Sequence, residues 1–569
     1  MHFPSFPITI LSPLSLSRSM DNVPLPGLTR STPSFHTKKH ENSCDFSNND
    51  LHFNGYEVDF NIAWFNDMKK NLMRMITATI DDTETMVLID NIQRLSISYH
   101  FEAEIGERLD RIYRSGIVGD CDDDLYIVSL GFRLLRQHGY RVSADVFNKF
   151  KDESENFNSC LSKDVIGILS LYEASHLGIQ GEEYMDEALA FSLKHLKASG
   201  SRLEPELAKT VKHALELPMH FRTPRLESMY YIKVSERDLG RNQDLLEFAV
   251  MDFNMVQAMH KQELKEVTRW WRDLGLADML TFARDKIHEW FMWPVVISSE
   301  SEFSVGRVDL TKVIAFIHII DDIYDIYGTL DELQQFTDAI KRWDPMVTRG
   351  LPEYMKTCYL ALYDVASDIS FKIFKNHGLN VMGHLRQAWT SLCEAFLVEA
   401  TWFNCGYVPS KEEYLKNGVT SSGVHVALVH AFLLLSPHVT RETVELASHN
   451  SQLILSPASI LRLWDDLSAT VDEKERGYDP SYIECYMKQH KDETEENAKQ
   501  HTRDLIATMW KKLNQECLDP SPFPHSITKM ALNSSRMVQV MYQSEIDSVG
   551  STLKDQMKSL LLEPMSLNS

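Results

Sequence analysis

Three carboxylates close an apolar helical run in the middle of the chain. Val313, Ile314, Phe316, Ile317, Ile319 and Ile320 lead into Asp321-Asp322-Ile323-Tyr324-Asp325-Ile326-Tyr327-Gly328. At a spacing of four, Asp321 and Asp325 share one helix face, one turn apart. The setting is a poor one for acids, because burying unpaired carboxylates is expensive. Gly328 reads as the helix stop, which puts the acids near the negative end of the helix dipole. Hard divalent cations resolve the conflict. Mg²⁺ takes oxygen ligands and is typically held by one or two carboxylates plus substrate phosphates. The run predicts a metal–phosphate site at a buried helix end.

A second acidic segment reads Arg462-Leu463-Trp464-Asp465-Asp466-Leu467-Ser468-Ala469-Thr470-Val471-Asp472-Glu473. On a helix, Arg462, Asp465, Ala469 and Glu473 run along one face. A basic group at the start and oxygen ligands further along suit a diphosphate bound with metal. Two such helices facing each other would grip it from both sides. Either cluster alone reads as a solvated helix face; the pair, each embedded in apolar helix, reads as ligands. Asp81-Asp82 and Asp122-Asp123-Asp124 lack a matched partner and read as helix N-terminal charge or solvated surface. The histidines show no HExxH-type spacing, so zinc has no support.

The elements that must position these acids are helices. From Tyr56 onward apolar residues recur at threes and fours, as in Leu125, Val128, Phe132 and Leu135. Alternation of β-branched residues is scarce, so the fold class is all-α. Thr329-Leu330-Asp331-Glu332 is a capping-box signal that restarts a helix straight after Gly328. The stretch Lys197–Gly200 and prolines 218, 224, 294, 345, 352, 409, 437, 457 and 480 mark expected joints. A change from short acid-studded helices to a Trp- and Met-rich stretch sets a domain boundary near Leu245.

With 569 residues the chain exceeds a single ordinary core. Its net charge of -23 argues against nucleic acid or an anionic membrane surface as partner, and an anionic substrate would need cations at its site. The eight cysteines lack metal or CxxC spacing and read as reduced thiols. No apolar run approaches a bilayer span; the longest, near Val426–Leu435, is interrupted by His430. Residues 1–40 carry seven serines, six prolines and a single acid, Asp21. That bias suits an organelle transit peptide; the alternative is a leader with no address, and Met20 is a candidate internal start.

The acidic pair resembles the DDxxD and NSE/DTE elements of plant class I terpene synthases. Arg269-Trp270-Trp271, Phe282-Ala283-Arg284-Asp285-Lys286 and Phe132-Arg133-Leu134-Leu135-Arg136-Gln137-His138-Gly139-Tyr140 also resemble that family, in order and spacing, over residues 55–569. The resemblance implies two helical domains. Residues 51–245 would form an α-barrel relic and residues 246–569 the class I catalytic bundle, after a leader over 1–50. It implies that Asp321 and Asp325 bind two Mg²⁺ with Asp322 in support, and that Asp465 and Glu473 bind a third, Mn²⁺ being an alternative ion. Arg284 and Arg462 would hold the diphosphate. Trp293 matches an aromatic position at the cavity floor, and Tyr542 and Asp547 resemble cavity residues. The physical logic agrees. Ionising an allylic diphosphate needs charge neutralisation and no protein nucleophile. The remaining cation needs aromatic faces, for which Trp290, Phe291, Trp293, Tyr324, Tyr327 and Trp402 are candidates.

Three departures from the family pattern stand out. Ala469 replaces a Ser or Thr, removing one hydroxyl ligand. Lys286 replaces a second arginine and loses its fork geometry. Residues 1–65 lack the tandem arginine followed by Trp that relatives making cyclic monoterpenes carry, which resembles the subfamily with acyclic products, notably linalool and nerolidol. The expected substrate is geranyl diphosphate, farnesyl diphosphate or both, acted on by a monomer, in the plastid or alternatively the cytoplasm. Ocimene- or myrcene-type hydrocarbons and cyclic terpenes are the alternative products. A chain-elongating prenyl transferase fits less well, because Asp465–Glu473 is not DDxxD-like. A non-catalytic relative is favoured mainly by Ala469.

Overall fold

A computed structural model describes residues 62–116, 118, 124–200, 203–235, 243–448, 451–468, 481–518, 520–547 and 552–567. Among them the chain is helical throughout, with one isolated bridge between Lys151 and Phe157 and no named strand. Ala469 and Glu473 lie outside the described residues, as do the side chain of Asp547 and the leader.

The first helices are α1 (Ile62–Ala78), α2 (Asp82–Arg94), α3 (Glu102–Ser115), α4 (Leu125–Gln137), α5 (Val165–Ser175), α6 (Glu183–Ser199), α7 (Pro205–Glu216) and α8 (Pro224–Ser235). Two acids set aside as decoys start them. Asp81 accepts the Glu84 N–H at 2.8 Å and Asp124 that of Tyr126 at 2.9 Å, the usual work of an N-cap. Then come α9 (Gln243–Leu274), α10 (Ile287–Ile297), α11 (Ser304–Asp322), α12 (Leu330–Arg342), α13 (Glu353–His377), α14 (Met382–Cys405), α15 (Lys411–Ser421), α16 (Val424–Leu434), α17 (Gln452–Ser468), α18 (Tyr482–Gln489), α19 (Glu495–Glu516), α20 (His525–Asp547) and α21 (Leu553–Leu561). The expected boundary at Leu245 falls in the first turn of α9.

Five helices frame the chemistry. Helix α11 packs on α10 and α16, α16 on α17, and α17 on α20, which returns to α10. Their facing sides are apolar: Phe316, Ile320, Phe291, Val429, Leu463 and Val538 are all buried. The stretch 411–434 is apolar and long enough to cross a membrane by length and composition, yet it breaks at Ser422–Gly423 and is mostly buried in the fold. Gly423 takes φ +74°, and a Cβ there would lie 2.4 Å from Ile317 of α11. Glycine is thus required both by conformation and by the close approach of α11.

The capping box at Thr329 forms as expected, with Glu332 reaching back to the Thr329 N–H at 3.0 Å. Two prolines read as joints are not joints. Pro294 lies inside α10 and Pro457 inside α17. Each forgoes one backbone hydrogen bond, and the apolar packing of these two core helices outweighs that loss.

Candidate active site

Helix α11 delivers Asp321 and Asp322 at its last turn, but the α-helix does not continue to Asp325. Residues Ile323–Tyr327 form a wider π turn, closed by the Gly328 N–H donating to Ile323 O at 2.8 Å. Asp321 and Asp325 therefore do not lie on one continuous α-helix, as their spacing of four had suggested. Gly328 ends the turn for reasons of space. Its φ of -71° is open to any residue, but a Cβ would lie 2.5 Å from Leu333 Cδ2 and 3.0 Å from Ile323 O.

Asp321 and Asp322 point different ways. Asp321 remains partly exposed and pairs with Arg284 Nη2. Asp322 is buried, and both of its oxygens are engaged by Arg284: Oδ2 accepts the backbone N–H at 2.7 Å and Oδ1 lies 2.8 Å from Nε. Both Asp322 oxygens are thus taken up by Arg284. Burial pushes the Asp322 carboxyl up, with Arg284 opposing. Burial likewise disfavours the Arg284 cation, but Asp321 and Asp322 overcome it and raise the guanidinium above its ordinary range. The loop is tied down again where Trp271 Nε1 donates to Asp285 at 2.7 Å, so two of the sequence motifs meet in space.

The second acidic pair repeats this division on α17. Tyr542 of α20 donates to Asp465 Oδ1 at 3.0 Å, and Arg462 Nη1 lies 3.8 Å from Asp465 Oδ2. Asp466 turns inward, where Tyr414 Oη donates to Oδ1 at 2.7 Å and the Tyr482 N–H to Oδ2 at 3.0 Å. Burial pushes its carboxyl up to about 7, with Arg462 opposing. Arg462 lies in a cradle on α15. Its Nη2 donates to Ser421 Oγ at 3.0 Å, and Ser421 donates to the buried Glu399 at 2.6 Å. A Cβ on Gly418 would sit 3.2 Å from the Arg462 side chain, so glycine leaves the room it occupies. Burial opposes the Arg462 charge, and Tyr414, Glu399, Asp466 and Asp465 together raise its pKa.

The aromatic candidates divide too. Trp293 on α10 is partly exposed. Tyr327 is half exposed and stacks on Phe282 at 4.2 Å between ring centres. Trp402 is partly exposed near Tyr407. Trp290, Phe291 and Tyr324 are buried core; Trp290 stacks on His318, and Tyr324 bonds Thr337 at 2.7 Å. These three are corrected from candidate cation faces to packing residues.

No group of three His, Cys, Asp or Glu among the described residues would by itself cage a metal. The donor set still fits Mg²⁺, which needs only one or two carboxylates when substrate phosphates supply the rest. Asp321 and Asp465 present hard oxygens beside Arg284 and Arg462, and Asp325 is exposed in the π turn that follows Asp322. Glu399, Gly418, Ser421 and Tyr414 were missed by sequence reasoning, and Phe282 was read only as part of a motif. They act across helices, and the only signal was Gly418 and Ser421 lying one turn apart.

Residues 272–512 match the model of the terpene synthase family, metal binding domain, and residues 39–215 that of the terpene synthase, N-terminal domain. The chain is 46% identical over 501 residues to a chloroplastic trans-ocimene synthase of Litsea cubeba, covering 88% of this chain and 85% of the relative. Isoprene synthase from grey poplar (Populus x canescens), solved with three Mg²⁺ ions and dimethylallyl-S-thiolodiphosphate, superposes with TM-score 0.83 at 39% identity, over 90% of this chain and 99% of that one. A limonene synthase with 2-fluorolinalyl diphosphate gives 0.85 at 36%, over 92% and 97%.

Proposed function

Given that the chain belongs to the terpene synthase family, we propose that it converts geranyl diphosphate to an acyclic monoterpene with release of diphosphate. It is a lyase acting on a prenyl diphosphate. The observation that carries the acyclic reading is the absence from residues 1–65 of a tandem arginine followed by Trp. The likeness to a trans-ocimene synthase supports it.

Arg284 and Arg462 hold the diphosphate from opposite helix ends, and Asp322 and Ser421 keep them aimed. Asp321 and Asp325 would hold two Mg²⁺ and Asp465 with Glu473 a third. Bound Mg²⁺ supplies charge neutralisation as the carbon–oxygen bond breaks. Trp293 and the Phe282–Tyr327 stack face the resulting allylic cation with their π electrons. Water then bonds at the tertiary carbon and loses one proton, giving linalool. On farnesyl diphosphate the same steps give nerolidol. Loss of a proton from the cation without water capture gives an ocimene- or myrcene-type hydrocarbon, the reading favoured by the trans-ocimene relative. The division into an N-terminal α-barrel and a catalytic bundle at residue 245 belongs to this proposal. So does a plastid address, supported by the Ser-rich, acid-poor leader and the relative's chloroplastic name.

Gas chromatography–mass spectrometry of products from each diphosphate with Mg²⁺ tests the reading. Linalool or an ocimene-type hydrocarbon from geranyl diphosphate is expected. A cyclic main product would overturn it.

A further inference from the structure

A cavity of about 270 Å³ lies between α2, α3 and α4 on one side and α10, α19 and α20 on the other, and shares no lining residue with the two acidic helix ends. Most cations in its wall have a carboxylate. Arg225 pairs with Asp252 at 2.6 Å, Arg222 with Glu227 at 2.8 Å, and Lys529 with Glu300 at 2.6 Å. Arg136 is held by Glu182 at 2.7 Å.

Arg536 differs. Its Nε–H donates to the His220 carbonyl at 2.8 Å and Nη1 donates to Asn533 Oδ1 at 2.8 Å. Both acceptors are neutral, and no carboxylate pairs with Arg536 among the described residues. Burial pushes its pKa down to about 10, which still leaves it cationic at neutral pH. Arg536 is only partly exposed, and charges largely withdrawn from water are normally paired, so among the described residues this wall holds a cation without a carboxylate partner.

A second unfilled bond lies beside it. Asn514 Nδ2 donates to His176 O and Gly178 O, each at 3.0 Å, which orients the amide. Asn514 Oδ1 therefore accepts from His220 Nε2–H at 2.8 Å, and His220 Nδ1 is left as a bare acceptor. The side chain is 3% exposed, and burial keeps the ring neutral. The wall thus asks for negative oxygens and for a hydroxyl donor together.

We propose that this cavity is a second ligand site, which takes a small phosphate-class anion, free phosphate or a phosphate monoester, with its negative oxygens on Arg536 and a P–O–H toward His220. The site backs onto α10 and α20, the helices that also carry Trp293 and Tyr542.

The test is a melting titration of the full chain with inorganic phosphate in Mg²⁺-free buffer at constant ionic strength. Three variants accompany it. Arg536→Gln removes the cation. Leu532→Glu places a carboxylate one turn before Arg536 and neutralises it in place. The double variant Arg284→Gln/Arg462→Gln removes the cations of the acidic helix ends. A saturating rise in melting temperature is expected in the wild type and the double variant, weakened at least about tenfold in apparent affinity by Arg536→Gln and by Leu532→Glu. Sulfate, with no proton to donate, is expected to bind at least about tenfold more weakly than phosphate. No saturable rise, a rise lost only in the double variant, a rise unchanged by Leu532→Glu, or equal binding of sulfate would overturn the proposal.

Discussion

The two acidic helix ends are built on the same plan and secured by different chemistry. Each presents one aspartate outward, Asp321 or Asp465, and turns its neighbour inward, Asp322 or Asp466. The inward acid of α11 is held by a cation, with both oxygens on Arg284. The inward acid of α17 is held by a phenol and a backbone N–H, with its carboxyl pushed by burial up to about 7. At the first end, orientation of the arginine depends on the charge of the inward acid. At the second, the arginine is aimed separately by Gly418 and Ser421, and the inward acid ties α17 to α15 and α18. One pattern of two adjacent aspartates thus serves to position a cation in one place and to dock helices in the other.

The outward acids should carry the largest effects. Asp321→Ala and Asp325→Ala are expected to lower kcat/KM by about 10²–10³-fold, the scale of losing a preorganised electrostatic group, in steady-state diphosphate release. Wild-type turnover in either variant would remove them from the chemistry.

Replacing the inward acids separates the two ends. Asp322→Asn should cost about 10²-fold in kcat/KM, because Arg284 loses its aim and small misplacements are expensive. Asp466→Asn should leave kcat/KM within about threefold while lowering stability by about 1–2 kcal/mol, the penalty of one mismatched buried hydrogen bond, measured by urea unfolding. Equal activity losses in the two variants would collapse the distinction.

The Arg462 cradle gives a smaller effect. Gly418→Ala and Ser421→Ala are each expected to raise KM about tenfold with the fold intact by circular dichroism, as a charge-assisted contact is misdirected.

How much of this the sequence disclosed follows from what is local. The apolar run into Asp321, the Arg462–Asp465 spacing and the Thr329 capping box are short-range patterns, and all three appear as read. The π turn is not legible, because the sequence from Asp321 to Gly328 fits an α-helix equally well. The approach of Leu333 that leaves no room for a Cβ at Gly328 is likewise set by packing and not by the local sequence. The inward turn of Asp322 and Asp466 depends on Arg284, Tyr414 and Tyr482, which are 38, 52 and 16 residues away. Pro294 and Pro457 misled because tertiary burial overrides a local helix breaker. Tyr324 looked available to a cation only because the rotation of the last turn was unknown.

Acid should weaken the fold by a route apart from both helix ends. Burial pushes His138, His176 and His220 each down to about 3. A histidine with a lowered folded pKa takes up protons first in the unfolded chain. Its contribution is intact above about pH 6.5 and is lost as pH falls from there toward 3. At pH 5 each should cost about 2 kcal/mol relative to neutral pH, seen as a falling melting temperature.

The central claim is that the two outward acids and the arginines beside them work together to ionise one prenyl diphosphate. Diphosphate release from geranyl diphosphate, measured against Mg²⁺ concentration for the wild type, Asp321→Asn and Asp465→Asn, tests it most directly. The account predicts release that requires Mg²⁺ in the wild type and falls at least about 10²-fold in each variant. Release at the wild-type rate from either variant, or release without Mg²⁺, would contradict it.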